Sequence, residues 1–361
     1  MAGSPVVRRA GAVESLHAHT SRDALPMKRW LTRLFGAAPA GPVDHPPSSL
    51  CLPSSEAVTL PIADDVPTLD LDLAFFHWLA GPHVTGAAGD ETLVLDELAR
   101  LVRDPQAAST LVPRVPAVIP QVLRSLRSDA ASSADLARQV AQDAVLVAEV
   151  LREVNSPYYQ PGAPVRNLEG ALLLLGQNGL RMLLARVAFR RIVSLQTSRL
   201  ARLIAPQLWN QSEKCAQAAS LLAPSHGADP FEAYLAGLMH NVGLIVALRV
   251  IDGLLPTGGL PDSDAFGLRL VHAARLISSG IAGQWELPPA IGHAIAHLGD
   301  PATASSNLPA TLGEADRLAK LHMLAGGGQP VFVGAVAALP AGLRQVYDTF
   351  NDTDNANRQD A

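Results

Sequence analysis

The sequence predicts an all-α fold, and three observations favour it. Ala and Leu dominate the composition while aromatic residues make up only 4%, which suits close-packed helices better than sheets. Apolar residues recur at helical spacing through most of the chain after residue 69. With 361 residues and 48% hydrophobic content, the chain can bury a substantial core. We therefore expect a multi-helix protein.

The composition also excludes several classes of protein. A net charge of -5 offers no broad basic surface, so a nucleic-acid partner is not expected. Cys51 and Cys215 are the two cysteines and lie far apart, which excludes a disulfide framework and a structural zinc site and fits a reducing cytoplasm. The apolar stretch 233–248 contains His240 and Asn241 and is too short and polar for a transmembrane segment.

The N-terminal part of the chain differs in character from the rest. Residues 1–68 are rich in Pro, Ala, Gly and Ser and are predicted to be largely disordered. The basic segment 27–35 resembles an ordinary bacterial protein start, so the sequence leaves open whether translation begins at Met1 or Met27. Two segments with helical periodicity follow, and we interpret 69–108 as a helical lead-in.

The remaining chain is predicted to form two successive helical parts. A first bundle spans 109–195, in which Asp143 caps a helix that ends at the Asn155-Ser156-Pro157 turn. A second bundle spans 200–325, and a C-terminal helix with a polar tail occupies 326–361. The helices expected after residue 200 cover 200–222, 230–250, 266–283, 288–298, 311–324 and 341–350.

Several short motifs carry a resemblance to a known family. They occur in the order Val112-Pro113-Arg114-Val115-Pro116, Asn155-Ser156-Pro157-Tyr158-Tyr159, Leu208-Trp209-Asn210-Gln211-Ser212, His240-Asn241-Val242-Gly243, Trp285-Glu286-Leu287-Pro288 and Ala315-Asp316. Their order and spacing resemble the HDOD domain family, a divergent branch of the HD superfamily found in bacterial signalling proteins. The resemblance covers about three fifths of the chain and implies an HD-like bundle over 200–325 within a domain spanning 109–325.

The resemblance also implies a degenerate metal site. HD phosphohydrolases hold divalent metals with histidines and carboxylates, and the metal activates water. Here the first histidine position is occupied by Gln211 or its neighbour Asn210, the His-Asp doublet is His240-Asn241, and the distal aspartate is Asp316. A neutral amide binds a hard cation weakly. The resemblance therefore implies no bound metal, no cofactor and no catalytic residue.

Structural roles compete with functional ones at these positions. His240 lies in an apolar segment and is interpreted as a hydrogen-bonded core residue, while Asp316 is expected to pair with a nearby basic side chain or to cap backbone. His293 and His297 lie one helical turn apart but lack a third ligand. Cys215 is interpreted as a packing residue.

The sequence therefore favours a non-catalytic, cytoplasmic regulatory protein of bacterial signal transduction that acts through a protein partner. One alternative is a nucleotide phosphohydrolase with an altered metal site built from His240, His272, His297 and Asp316. Another is a sensor that binds a nucleotide or other small molecule without turnover. The cleft between the two bundles is the expected working surface.

Two further sets of residues are candidates for contact with a ligand or partner. Arg166, Arg181, Arg190 and Arg191 could bind an anion, although they equally suit solvated helix faces. The possible pocket or interaction residues are Asn155, Tyr158, Tyr159, Trp209, His272, Trp285 and His297.

Overall fold

The regular secondary structure of the described residues is helical, which confirms the predicted all-α fold. A computed structural model describes residues 70–81, 88–112, 138, 140–156, 162–194, 196–255, 259–300, 302 and 307–358. Three predictions therefore lie outside the described residues: the disorder of 1–68, the character of segment 27–35, and the roles of Tyr158 and Tyr159.

Thirteen α-helices and one 3₁₀ turn are named here within the described residues. They are α1 (Leu71–Ala80), α2 (Ala88–Arg103), α3 (Pro105–Thr110), α4 (Ala144–Val154), α5 (Leu168–Ser194), α6 (Arg199–Leu222), the 3₁₀ turn Ala223–His226, α7 (Pro230–Met239), α8 (Val242–Leu254), α9 (Asp264–Gln284), α10 (Pro289–Ala296), α11 (Asn307–Ala325), α12 (Pro330–Ala337) and α13 (Ala341–Arg358).

Helix α6 forms the centre of the fold, and helix α9 forms a second packing centre beside it. Helices α5, α7, α8, α11 and α13 pack against α6. Helices α8 and α10 pack against α9, and so do α1, α2 and α3 of the predicted lead-in. Phe75 and Phe76 of α1 are buried in the same hydrophobic core as the later helices. The lead-in therefore belongs to the packed structure and helps to enclose its core.

A predicted cap and a buried ion cluster hold the first bundle in place. The Asp143 carboxylate accepts hydrogen bonds from the first free N–H groups of α4, which confirms the cap. Arg186 of α5 is buried and donates to Glu153 of α4 and to Glu213 of α6. Because one guanidinium serves carboxylates from two other helices, it ties the first bundle to the central helix.

The structure corrects the sequence prediction at two places. The single helix predicted over 230–250 is broken between Met239 and Val242, so that α7 and α8 flank a turn. The residues after 350, predicted as a polar tail, continue α13 to Arg358. Tertiary contact explains this helix, because Asp354 accepts hydrogen bonds from the Lys214 ammonium and from His322.

Within the part of the chain that the structure describes, two apolar segments have the length and composition of membrane spans, Leu168–Val193 and Pro230–Leu254. In the most apolar window of the second segment, 89% of the residues are buried inside the protein. This second segment is longer than the predicted apolar stretch 233–248. Its residues are buried because α7 and α8 pack against other helices of the protein.

Gly243 in α8 marks a close approach to α9, and its substitution provides a test of this packing. A Cβ atom there would lie 2.0 Å from the Ala274 carbonyl oxygen and 2.8 Å from the Ser278 nitrogen. Because backbone must move, we expect Gly243→Ala to lower the free energy of unfolding by about 1–3 kcal/mol, measured by urea denaturation.

Gly253 provides a matched control for this prediction within the same helix. A Cβ atom at Gly253 meets no atom within 4 Å, so Gly253→Ala should leave stability unchanged or raise it by up to about 1 kcal/mol. Equal stability of the two variants would contradict the close packing of α8 on α9.

Candidate functional site

The four positions of the implied degenerate site come together in the centre of the fold. Gln211 lies on α6, His240 and Asn241 form the turn between α7 and α8, and Asp316 lies on α11. The Gln211 Nε2 donates to Asp316 Oδ1 at 2.7 Å, and the Gln211 Oε1 accepts from Asn241 Nδ2 at 2.5 Å. Gln211 therefore links the Asn241 amide to the Asp316 carboxylate.

His240 is buried and fixed by contacts on both sides of its turn. Its Nδ1 lies 2.7 Å from the Gly237 carbonyl oxygen and must carry the proton, because a carbonyl can only accept. Its Nε2 lies 3.4 Å from Asp316 Oδ1 and has no hydrogen-bond partner among the described residues. The backbone oxygen accepts from Ser278 Oγ of α9 at 2.8 Å. These contacts fit the interpretation of His240 as a hydrogen-bonded core residue.

Two cations and a second carboxylate complete a cluster of four charges beside the turn. Lys320, one helical turn after Asp316 on α11, donates from Nζ to Asp316 Oδ2 and to Asp72 Oδ1, both at 2.6 Å. Arg275 of α9 donates from Nη2 to Asp72 Oδ2 at 2.7 Å and lies 3.8 Å from Asp316 Oδ2. This confirms the prediction that Asp316 pairs with a nearby basic side chain. The four residues form what we call the charge cluster.

The members of the charge cluster hold one another in their charged states. Burial alone would raise the pKa of Asp316, but Lys320, His240 and Arg275 together lower that pKa well below its usual range. The pKa of Asp72 is likewise lowered by the two cations against the effect of burial. Burial would lower the pKa of Lys320, whereas the two carboxylates raise it. Three of the four side chains are therefore stabilised as ions at neutral pH.

A possible metal-binding group lies next to the charge cluster, but its chemistry does not fit a divalent ion. Cys215, His240 and Asp316 are buried and offer ligand atoms within 4.8 Å of one another. However, Gln211 and Lys320 already occupy the two oxygens of the carboxylate, and the ammonium would repel a second cation. Burial also raises the pKa of the Cys215 thiol well above its usual value, so the thiol keeps its proton.

An apolar pocket opens beside the charge cluster. It measures about 570 Å³ counted out to its open mouth, although its interior has room for only about two water molecules. Phe75 and Phe76 of α1 and Leu248 of α8 are among its apolar walls, and Arg275 and Lys320 lie at its charged end. The pocket therefore lies between the lead-in helix α1 and the second bundle, rather than between the two bundles as the sequence suggested.

Asn155, a possible interaction residue, closes a loop instead of facing the pocket. Its Nδ2 donates to the Val165 carbonyl oxygen at 2.8 Å, and its Oδ1 accepts from the Val165 N–H at 2.7 Å. The amide also donates to the Leu151 carbonyl at 2.7 Å. Through these hydrogen bonds Asn155 connects the C-terminal end of α4 to the residues that precede α5.

The candidate tryptophans, and the candidate histidines other than His240, lie outside the charge cluster. Trp209 is half-buried against the core, and Trp285 packs its ring 6.1 Å from that of Phe189. The ring of His297 stacks on that of His293 with centroids 4.2 Å apart. His272 lies on α9 and is exposed. Among the described residues, the buried group of potential ligands contains neither His272 nor His297.

Three of the four candidate arginines are engaged with neighbouring helices. Arg190 and Arg191 form ion pairs with glutamates of α4 at 3.1 Å and 3.4 Å. The guanidinium of Arg181 lies over an aromatic ring of α7, 4.4 Å from its centroid. Arg166 is exposed. Arg166 and Arg190 therefore lie on exposed helix faces, as the sequence suggested, whereas Arg181 and Arg191 are half-buried in contacts between helices.

Sequence reasoning missed Lys320, Arg275 and Asp72 as members of the site. The Asp316–Lys320 pair could have been found from its four-residue spacing, which brings opposite charges together on one helix face. Asp72 carries no such signal, because it belongs to a segment that precedes the region of resemblance.

The acid dependence of stability tests the charge cluster. Because Asp316 and Asp72 have lowered pKa values in the folded state, their contribution is present above the unfolded pKa near ~4 and is lost as pH falls through the folded values. We expect Lys320→Met to cost about 3–5 kcal/mol at pH 7, because it leaves a buried carboxylate without its partner. The deficit should shrink below pH ~4, as measured by urea denaturation across pH.

Arg100→Met offers a control for this prediction, because Arg100 forms an exposed pair with Glu97 on α2. Its removal should change stability little at either pH. A Lys320→Met deficit that stays constant as the pH falls would contradict the paired state of the two aspartates.

Comparison with known proteins identifies a relative of this chain by sequence. An uncharacterised protein of Treponema pallidum (strain Nichols) is 28% identical over 137 residues, which are 37% of this chain and 26% of the relative. The chain thus spans about a quarter of the length of that relative, and the match carries no activity with it.

Solved structures share the helical arrangement at low sequence identity. A candidate signal transduction protein from Marinobacter aquaeolei VT8 is 18% identical with a TM-score of 0.52, covering 77% of this chain and 66% of that one. An HDOD domain protein of unknown function from Geobacter sulfurreducens is 22% identical with a TM-score of 0.48, covering 63% of this chain and 80% of that one. The first likeness supports the fold alone.

The family profile described as HDOD domain matches residues 112–301, which are more than half of the chain. This span contains Gln211 and the His240-Asn241 doublet. The chain therefore belongs to the HDOD domain family.

Proposed function

We propose that this chain is a non-catalytic regulatory protein of bacterial signal transduction that acts through contact with another protein. The observation that carries the proposal is the position of the Lys320 ammonium, 2.6 Å from carboxylate oxygens of both Asp316 and Asp72. A fixed side-chain cation therefore neutralises the carboxylate that would otherwise serve as a metal ligand.

The neighbouring amides support the same conclusion. A metal-dependent phosphohydrolase needs an ion that lowers the pKa of bound water and offsets phosphate charge. Gln211 and Asn241 are neutral and already hydrogen bonded to one another, and Gln211 also donates to Asp316. Such a network stabilises the interior without requiring an ion.

Signalling is proposed from the family and from the described role of a structural relative. The Marinobacter protein is named as a candidate signal transduction protein. Partner contact is proposed at the start of α5, where Leu173 is 88% exposed. Cytoplasmic location is proposed because Cys215 is free and buried.

A sensor that binds a small molecule without turnover is a second candidate. The apolar pocket with Arg275 and Lys320 at one end favours it, because ligand sites combine apolar walls with a few placed polar groups. The altered-site hydrolase has less support, since His272 and His297 do not join His240 in the buried group.

Elemental analysis of untagged protein tests the absence of catalysis. We expect iron, manganese and zinc well below one equivalent, the same content in His240→Ala, and no metal-dependent hydrolysis of nucleotide phosphoesters. Stoichiometric metal that disappears in His240→Ala, together with hydrolysis, would establish the enzyme instead. Circular dichroism of both proteins shows whether the fold is intact.

A reconstruction experiment tests whether Lys320 is the reason that metal is excluded. We expect Gln211→His with Asn241→Asp to leave manganese affinity weak, because the ammonium still neutralises Asp316. Adding Lys320→Ala to these two changes should tighten manganese binding by at least about tenfold, a difference of about 1.4 kcal/mol. Tight binding in the double variant, measured by equilibrium dialysis, would contradict this role for Lys320.

A further inference from the structure

We propose that Lys320 and Arg275 form a binding site for the oxyanion group of a small molecule, a carboxylate or a phosphate, and that Asp72 of the chain itself occupies this site in the structure. The inference deepens the proposed function and rests on its metal-free site. It does not depend on the identity of a protein partner.

The geometry around Asp72 is that of a bound oxyanion. Its Oδ1 accepts from Lys320 Nζ at 2.6 Å and its Oδ2 accepts from Arg275 Nη2 at 2.7 Å. Two cations on two different helices thus hold two different oxygens of one group, as charge-assisted sites for carboxylates and phosphates do. Arg275 is fixed in turn, because its Nη1 donates to the Leu298 carbonyl oxygen at 2.9 Å.

The charge balance explains why an anion is needed at this place. Lys320, Arg275 and Asp316 belong to the second bundle and together carry one excess positive charge. Asp72 of α1 supplies the balancing negative charge. A ligand with one negative charge could replace Asp72 without leaving a net charge in the interior, so the exchange avoids the cost of burying an unpaired ion.

Asp72 is also the member of the charge cluster that can leave most easily. Its side chain is 26% exposed, compared with 6% for Lys320 and 12% for Arg275. It stands in the first turn of α1, whose attachment to the bundle also involves buried Phe75 and Phe76. The carboxylate can therefore turn toward water while the helix stays in place.

The apolar pocket next to the cations indicates the rest of the ligand. Phe75, Phe76 and Leu248 are among the apolar walls that continue from the charged end. The narrow interior admits only a small body in addition to the volume that the Asp72 carboxylate vacates. The ligand class is therefore a molecule of a few carbon atoms with one singly charged oxyanion group, in line with pockets that use few polar anchors.

Ligand binding would alter the attachment of α1. Asp72 provides the ionic contacts of α1 with α9 and α11. The exposed His77–Asp264 pair provides another contact between α1 and α9. Replacement of Asp72 by a ligand removes the first set of contacts and weakens the hold on the lead-in helix. A small molecule could in this way change what the N-terminal side of the protein presents to a partner.

Removal of the Asp72 carboxylate in the full chain tests the site. Propionate and dimethyl phosphate, which each carry a single negative charge, serve as probes, with propionamide as the neutral control, and binding is measured by isothermal titration calorimetry at constant ionic strength. Because the internal competitor is gone, we expect Asp72→Ala and Asp72→Asn to bind at least one of the two anions ten times more tightly than the unmodified protein. Which anion binds more tightly distinguishes a carboxylate site from a phosphate site.

A second substitution provides the control. In Asp72→Ala with Arg275→Met, Lys320 and Asp316 form a neutral pair, and the gained anion binding should be lost. Equal affinity in the unmodified protein and both Asp72 variants, equal binding of propionamide, or binding that survives Arg275→Met would each overturn the proposal. Failure of this binding test would not change the result of the elemental analysis. A bound metal would be detected by the elemental analysis and not by the binding test.

Discussion

The buried pair between Lys320 and Asp316 is the interaction on which the arrangement of the site depends. An ammonium and a carboxylate inside a protein are stable only when each has a partner and further hydrogen bonds. Asp316 obtains them from Lys320 and Gln211, and Lys320 obtains its second acceptor from Asp72. Through these contacts one pair fixes the relative positions of α1, α6 and α11.

The same pair, with the amides beside it, holds the central side chains of several helices together without requiring an ion. A divalent metal normally gathers ligands from several helices, and its removal leaves carboxylates that repel one another. In this chain hydrogen-bonded amides and an internal ammonium hold side chains from several helices together. The interior is therefore polar but satisfied, which is the condition under which buried polar groups stabilise one arrangement.

The helical fold could be predicted from local signals, whereas the four central positions were proposed from the resemblance to the HDOD domain family. Helical periodicity, the Asp143 cap and the ordered motifs are visible in short windows of the chain. The site could not be completed in this way. Asp72 lies 244 residues before Asp316 along the chain, and nothing in either segment indicates that α1 folds onto α11. The extension of α13 to Arg358 was missed for the same reason, because its support comes from Lys214 and His322.

The packing of α1, α2 and α3 on α9 has a consequence for where the folding unit begins. The family match starts at residue 112, yet Phe75, Phe76 and Leu98 contribute to the buried core. A fragment beginning at the family boundary would expose the faces of α9 and α11 that these helices cover, and Lys320 would lose one of its two acceptors. The family match and the packed core therefore have different N-terminal limits, and α1, α2 and α3 cover core faces that would be exposed to water without them.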